Sequence, residues 1–226
     1  METFKQAFDL IFYDNNELFG IIGTTLVMSF FSTALSALLG IPLGTALGRA
    51  EFKGKGAVMR ILNTLMSLPP VVAGLAVFML FRSVGPFGSL HLMFTVQIMV
   101  IAQVVLITPV ICGLAASAAE QNAASLSETA RGIGLSKGRQ TALLIRECRG
   151  QFLSIVLLGF GRSIAEVGAV SMVGGNIQFK TRVMTTAIML ESNKGDFTKA
   201  LALGIILLAI SFAVNIIAYS LKGRTK

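Results

Sequence analysis

Apolar residues run through this chain in long blocks separated by short polar links. A helix that crosses a membrane needs about 20 predominantly apolar residues. Five blocks reach that length, approximately Leu18 to Leu47, Val58 to Phe81, Leu92 to Ala118, Phe152 to Val173 and Leu201 to Leu221. The pattern predicts an all-α membrane protein of about five transmembrane helices, folded as a single domain over residues 1–226. The first block is over-long, so it tilts or its ends lie outside the hydrocarbon.

Small residues inside the blocks mark helix contacts. Gly40, Gly44 and Gly48 recur every four residues, and Gly161, Ala165 and Ala169 repeat the spacing in the fourth block. Such a face lets two membrane helices approach closely. Pro42, the Pro69-Pro70 pair and Pro109 remove backbone donors, so helix kinks or breaks are expected there, with freed carbonyls to be satisfied by neighbours or water.

Composition agrees with a bilayer setting. The chain is 54% hydrophobic and 13% charged, with mean hydropathy +0.78, against about 25% charged in soluble domains. Residues 1–16 carry Glu2, Asp9 and Asp14 and lack the basic start of a removable signal, so the first block is expected to stay as a membrane helix. The net charge of +8 could point to nucleic acid, but the basic residues cluster at block ends, where they report topology. Arg49, Lys53, Lys55 and Arg60 lie in the first link. Arg131, Lys137, Arg139, Arg146 and Arg149 lie in the third, and Lys222, Arg224 and Lys226 form the tail. With an odd span count these fall on one side. The amino-terminal segment, with Glu2, Asp9, Asp14 and Glu17 against Lys5, falls on the other. Positive-inside then predicts an outside N-terminus and a cytoplasmic C-terminus.

Chemistry-bearing residues are few. Cys112 and Cys148 form no metal or disulfide framework and read as buried, inert thiols. His91 stands alone beside a Gly/Pro-rich loop, so no metal or catalytic site is predicted. Arg162 and Glu166, inside the fourth block, are expected on one helix face. They either neutralise each other to fix packing or serve the pathway or its mouth. Asn63, Gln97, Gln103 and Asn215 read as amides that bridge helices. After the fourth block, Gly174, Gly175 and Asn176 open a polar loop holding Lys180 and Arg182, which either attract an oxyanion or anchor a short helix at the interface.

The longest polar interruption, residues 120–149, has the features of a cytoplasmic helical hairpin. Ser125-Leu-Ser-Glu128 fits a capping box that starts a helix. Gly132 and Gly134 allow a sharp turn, and Ser136 is placed to cap a second helix carrying Lys137, Arg139 and Arg146. Two short helices joined at a glycine corner make a knob that fits a groove in a soluble partner.

This hairpin resembles the Glu-Ala-Ala loop of ABC importer permeases. Glu128, Ala130 and Gly134 match that motif, Thr129 replaces its middle alanine, and Leu144-Ile-Arg-Glu147 stands where the family often has Ile-x-Leu-Pro. Leu68-Pro-Pro-Val-Val-Ala-Gly-Leu75 and Gly161-Arg-Ser-Ile-Ala-Glu-Val-Gly-Ala-Val-Ser-Met-Val-Gly-Gly-Asn176 are similar to the branch that imports molybdate, tungstate and sulfate. The five-block layout and the Gly-Gly-Asn-Ile-Gln run are most similar to tungstate permeases.

The resemblance implies a type I ABC importer permease in a bacterial or archaeal inner membrane, working as a homodimer with two cytoplasmic ATP-binding subunits and an extracytoplasmic binding protein. It places ATPase coupling on Glu128, Thr129, Ala130, Gly132, Gly134, Ser136 and Arg139. The chain has no Gly-x4-Gly-Lys-Ser/Thr loop, so ATP and Mg would be used by the partner, with no cofactor and no catalytic residue here. An intramembrane enzyme would need a nucleophile–base or metal set, and the chain has one His and no His-Glu-x-x-His. A membrane scaffold or insertion protein accounts for five spans but not for the glycine-cornered hairpin.

Overall fold

The computed structural model describes residues 15–132 and 136–223, with side chains described for 17–122, 136, 138–217 and 220. The described residues form nine α-helices and no strand. These are α1 (Asn15–Arg49), α2 (Lys55–Met66), α3 (Pro70–Phe81), α4 (Val96–Gly132), α5 (Lys137–Glu147), α6 (Arg149–Ile164), α7 (Gly168–Gly174), α8 (Met184–Lys194) and α9 (Phe197–Gly223).

Stretches of α1, α4 and α9 are long and apolar enough to cross a membrane. The other two expected spans are not straight. Val58 to Phe81 is α2 and α3 meeting at 94°, and Phe152 to Val173 lies in α6 and α7, which meet at 57°. Among the described residues the count is thus three spans, or up to five if each bent pair makes one. At 1.5 Å per residue, the 12 residues of α3 rise only about 18 Å, short of a hydrocarbon core of about 30 Å.

The first bend follows from covalent chemistry. Pro69 and Pro70 carry no N–H, and a residue preceding proline is pushed out of helical geometry. Pro69 accordingly sits extended (φ −61°, ψ 129°), with Pro70 as the first residue of α3, where a missing donor costs nothing. Pro42 and Pro109 lie inside α1 and α4, and neither helix ends there.

The chain packs as two compact units, each made of separate segments. In one (residues 33–68, 104–160 and 217–226), Gly40, Gly44 and Gly48 of α1 lie directly on α4. A methyl on Gly40 would stand 3.0 Å from Ile111 Cγ2. On Gly44 it would stand 2.8 Å from the Ala115 methyl and run into the Cys112 carbonyl, and on Gly48 it would stand 2.9 Å from the Ala119 methyl. This is the close approach that the glycine spacing predicts. The second small-residue stripe does not form one contact face, because its helix is interrupted: Gly161 has open space, Ala165 is exposed, and only Ala169 is buried.

In the other unit (residues 1–32, 69–103 and 161–216), Ala169 of α7 meets Gly74 of α3, where an added methyl would lie 2.7 Å from the Ala169 Cα. The second arms of both bent pairs therefore pack on each other. Leu18 and Ile21 of α1, Met184 and Ala187 of α8 and Leu203 of α9 form an apolar core of this unit.

Gly44→Ala or Gly48→Ala forces α1 and α4 apart and is expected to cost about 1–3 kcal/mol by overpacking. The thermal midpoint of the purified protein should fall for these and hold for Gly20→Ala, whose site is open.

Candidate functional site

Two regions carry the candidate residues. The first is the joint between α6 and α7. The helix α6 ends at Ile164, and residues 165–167 turn aside before α7 begins. The four-residue spacing of Arg162 and Glu166 therefore does not place them on one helix face, and no ion pair joins them. The reason is the break itself: Glu166 lies beyond the helix end. Its Oε1 instead accepts the Ala169 N–H at 3.1 Å, satisfying one of the donors exposed at the start of α7. Arg162, half-buried in the last turn of α6, makes no hydrogen bond or ion pair among the described residues. Its charge suits the negative end of the helix dipole.

Three helices meet polar groups just before this joint. Gln103 of α4 accepts at Oε1 from Ser32 Oγ of α1 at 2.7 Å and also from Ser163 Oγ of α6. Its Nε2 donates to the Ser163 carbonyl at 2.9 Å. All three side chains are 0% exposed. Gln103 thus bridges helices as its type predicts, but the convergence of Ser32 and Ser163 on it has no local signature in the sequence.

Past α7 the chain enters a tightly held loop. Gly174, buried against Met99, closes the helix; Gly175 (φ 70°) and Asn176 (φ 50°) then turn through the left-handed region. A Cβ at Gly175 would meet Phe94 at 2.7 Å, so glycine is required there by space and by φ. Thr181 Oγ1 donates to the Gly174 carbonyl at 2.6 Å, and Met184 N–H donates to Thr25 Oγ1 at 2.9 Å. Asn176 Nδ2 reaches the Thr186 carbonyl at 3.4 Å, while its Oδ1 is buried without a partner. Of the two loop cations, Arg182 is held by Glu17 (Nη1 to Oε1, 2.9 Å), which also accepts from Gln178 Nε2 at 2.8 Å. Lys180 is exposed. Arg182 thus acts as an anchor, tying the short helix α8 to the start of α1.

The second region is the hairpin. The helix α4 continues unbroken from Val96 to Gly132, so no new helix starts at Ser125. The alanine-rich stretch from Leu114 to Ala124 contains no breaker, and helix propensity carries the turn onward. Glu128, Thr129, Ala130 and Gly132 lie on the last turns of α4; their side chains, and Gly134 altogether, fall outside the described residues. Ser136 occupies the N-cap position of α5 with extended backbone (φ −63°, ψ 154°), but its hydroxyl makes no capping bond. Arg139 and Arg146 are exposed.

The base of the hairpin is bolted down. Leu144, Cys148 and Phe152 are buried against Ala115 and Ala119 of α4. With no proline at 147, α5 runs on through Glu147 and keeps Leu144 in this core. Arg49 Nη1 donates to Gln140 Oε1 at 2.7 Å, Lys55 Nζ pairs with Glu120 Oε1 at 2.9 Å, and Asn122 Nδ2 donates to Gln151 Oε1 at 3.2 Å. These pairings join residues up to 91 positions apart and have no sequence signal. Both cysteines are free and buried. Burial pushes the Cys148 thiol up, and the neighbouring Glu147 charge pushes it further.

The profile of the family described as binding-protein-dependent transport system inner membrane component matches residues 40–226. The chain belongs to that family. It is 37% identical over 221 residues to a tungstate uptake system permease protein of Peptoclostridium acidaminophilum (98% of this chain, 97% of the relative). A tungstate uptake system permease protein of Campylobacter jejuni is 38% identical, covering 98% and 92%. A probable anion ABC transporter permease protein of Haloferax volcanii is 37% identical, covering 92% of each. More distant are a sulfate transport system permease protein of Salmonella typhimurium, at 23% with 98% and 82% covered, and a molybdenum transport system permease protein of Azotobacter vinelandii, at 28% with 88% and 92% covered. The expected ABC importer permease is thereby met: the chain is an inner membrane component of a binding-protein-dependent transport system, and its described residues form helices and no strand.

Two outcomes are expected from this geometry. Exchanging the charges in Arg162→Glu/Glu166→Arg should restore nothing relative to either single change, in folded yield or in uptake, because the residues do not pair. The thiolate is the reactive form, so Cys148 should react slowly with N-ethylmaleimide at about pH 8 until the protein is unfolded, read by mass spectrometry. Its raised ionisation means that the unfolded thiol loses its proton first. The Cys148 contribution to stability is therefore present below the unfolded value and is lost as pH rises through the folded one.

Proposed function

We propose that this chain is the permease subunit of an ATP-driven importer for an oxyanion, tungstate in preference to molybdate or sulfate. The observation that carries the choice is 37–38% identity to tungstate uptake permeases over 98% of the chain, against 23–28% for those of sulfate and molybdenum systems. Two copies form the pathway, two cytoplasmic subunits bind ATP with Mg, and an extracytoplasmic binding protein delivers the anion. The N-terminus lies outside, on the positive-inside distribution of Lys and Arg.

In this reading the hairpin is the coupling lever. Its tip, from Glu128 through Gly134 to Ser136 and Arg139, docks on the ATPase. The bolted base at Leu144, Cys148 and Phe152 supports the transfer of that movement to α4. Nucleotide turnover then alternates the side to which the dimer opens, as rigid-body motion does in other transporters. Arg162, without an ion pair among the described residues, and the Gly174-Gly175-Asn176 turn are the pathway candidates, with Arg162 supplying charge for an oxyanion.

The test is uptake of radiolabelled tungstate by vesicles holding this chain with its ATPase and binding protein, competed by molybdate and sulfate. Tungstate should be preferred; equal or better competition by either rival reassigns the anion. Glu128→Lys should cut uptake and co-purified ATPase at least tenfold while leaving membrane insertion intact. Gly134→Trp should do the same.

A further inference from the structure

The break between α6 and α7 has no proline to cause it, yet the backbone groups it frees lie in a segment read as membrane-spanning. In hydrocarbon such groups must find partners inside the protein. In an unbroken helix the Ser163 carbonyl would accept the N–H of Val167. Here it keeps only a long contact from the Glu166 N–H, 3.3 Å, and the shorter bond comes from Gln103 Nε2 at 2.9 Å. On the other side of the break, Thr185 Oγ1 donates to the Glu166 carbonyl at 2.8 Å, and the Glu166 carboxylate takes the Ala169 N–H. The joint is thus completed by side chains from α4 and α8 and by its own glutamate. Ser32 and Gln103 end two of the three segments that compose this unit, and Ser163 stands near the start of the third, so the cluster ties all three together.

We propose that Gln103 is a positioning residue for transport: its amide, by holding the Ser163 carbonyl, sets the bend of α6 against α7 and so seats Ala169 on Gly74. The amide–carbonyl bond is the operative element, and the two serine hydroxyls serve to orient the carboxamide. This rests on the importer reading above and extends it to a residue remote from ATP chemistry.

The experiment compares Gln103→Met, which keeps the shape and removes the donor, with Ser32→Ala and Ser163→Ala, which leave the Ser163 carbonyl and the amide in place. Each is assayed in the full complex for tungstate uptake, ATPase rate and thermal midpoint. Gln103→Met should lower maximal uptake at least tenfold, leave the binding-protein concentration for half-maximal rate unchanged, and keep ATP turnover within about twofold. The serine variants should stay within about threefold of wild type in uptake. A cysteine placed at exposed Ala165, in the joint, should change its maleimide labelling on nucleotide addition in the parent and lose that response in Gln103→Met. Should Gln103→Met not fold, Gln103→Asn, polar but one methylene short of the carbonyl, is expected to behave alike.

Wild-type uptake in Gln103→Met overturns the proposal, and so does equal loss in Ser163→Ala, which would make the cluster general packing. If the wild-type complex moves no tungstate, the importer reading fails on its own. The Ala165 labelling then still decides whether Gln103 sets the joint.

Discussion

Lipid offers a freed backbone amide or carbonyl no hydrogen-bond partner, and the architecture of this chain is arranged around that fact. Two of the five apolar blocks do not stay helical from end to end, so each must resolve the groups it releases. At the α2–α3 bend the prolines remove two of the donors outright, and the Pro69 carbonyl accepts the N–H groups of Val72 and Ala73. At the α6–α7 joint the donors and carbonyls persist, and Gln103, Thr185 and Glu166 are brought to them. Each such bond is worth only about 1 kcal/mol net, whereas a buried orphan costs about 1–3 kcal/mol, so loss of a partner weighs more than its presence.

The same economy of contact governs the helix faces. Without a hydrophobic force between helices in lipid, close backbone approach and shape carry association. The Gly40–Gly44–Gly48 seam on α4 and the Gly74–Ala169 contact are two places where a single methyl would intrude on the backbone of another helix. They lie in different units, so each unit has its own tight contact. Apolar side chains such as Phe30, Leu38, Leu208 and Phe212 remain exposed, as lipid-facing residues do.

Function divides along similar lines. In the proposed reading the chain supplies a pathway and a lever and another subunit supplies the energy, which suits an inner membrane component of a binding-protein-dependent transport system. The hairpin base combines an apolar core with pairings that reach across the fold, Arg49 to Gln140 and Lys55 to Glu120. A lever needs such a fixed base if displacement at its tip is to reach the membrane segments. Exposed surface ion pairs contribute little alone, typically below about 1 kcal/mol, so the apolar contacts at Leu144 and Phe152 carry most of that stiffness.

Much of this was legible along the chain: the apolar blocks, the glycine seam and the break at Pro69-Pro70 all act through local spacing or covalent geometry. The bent α6–α7 joint was not. Glu166 four residues after Arg162 looks like a helix pair, and no proline announces the break. The capping box at Ser125 misleads in the opposite sense, since α4 simply runs on through it. Composition and periodicity determine that this chain lies in a membrane as helices, because burial in lipid demands apolar length and internal hydrogen bonding. Where α6 stops inside that membrane was decided by tertiary structure, because its freed Ser163 carbonyl needs a partner and Gln103, 60 positions away, reaches it.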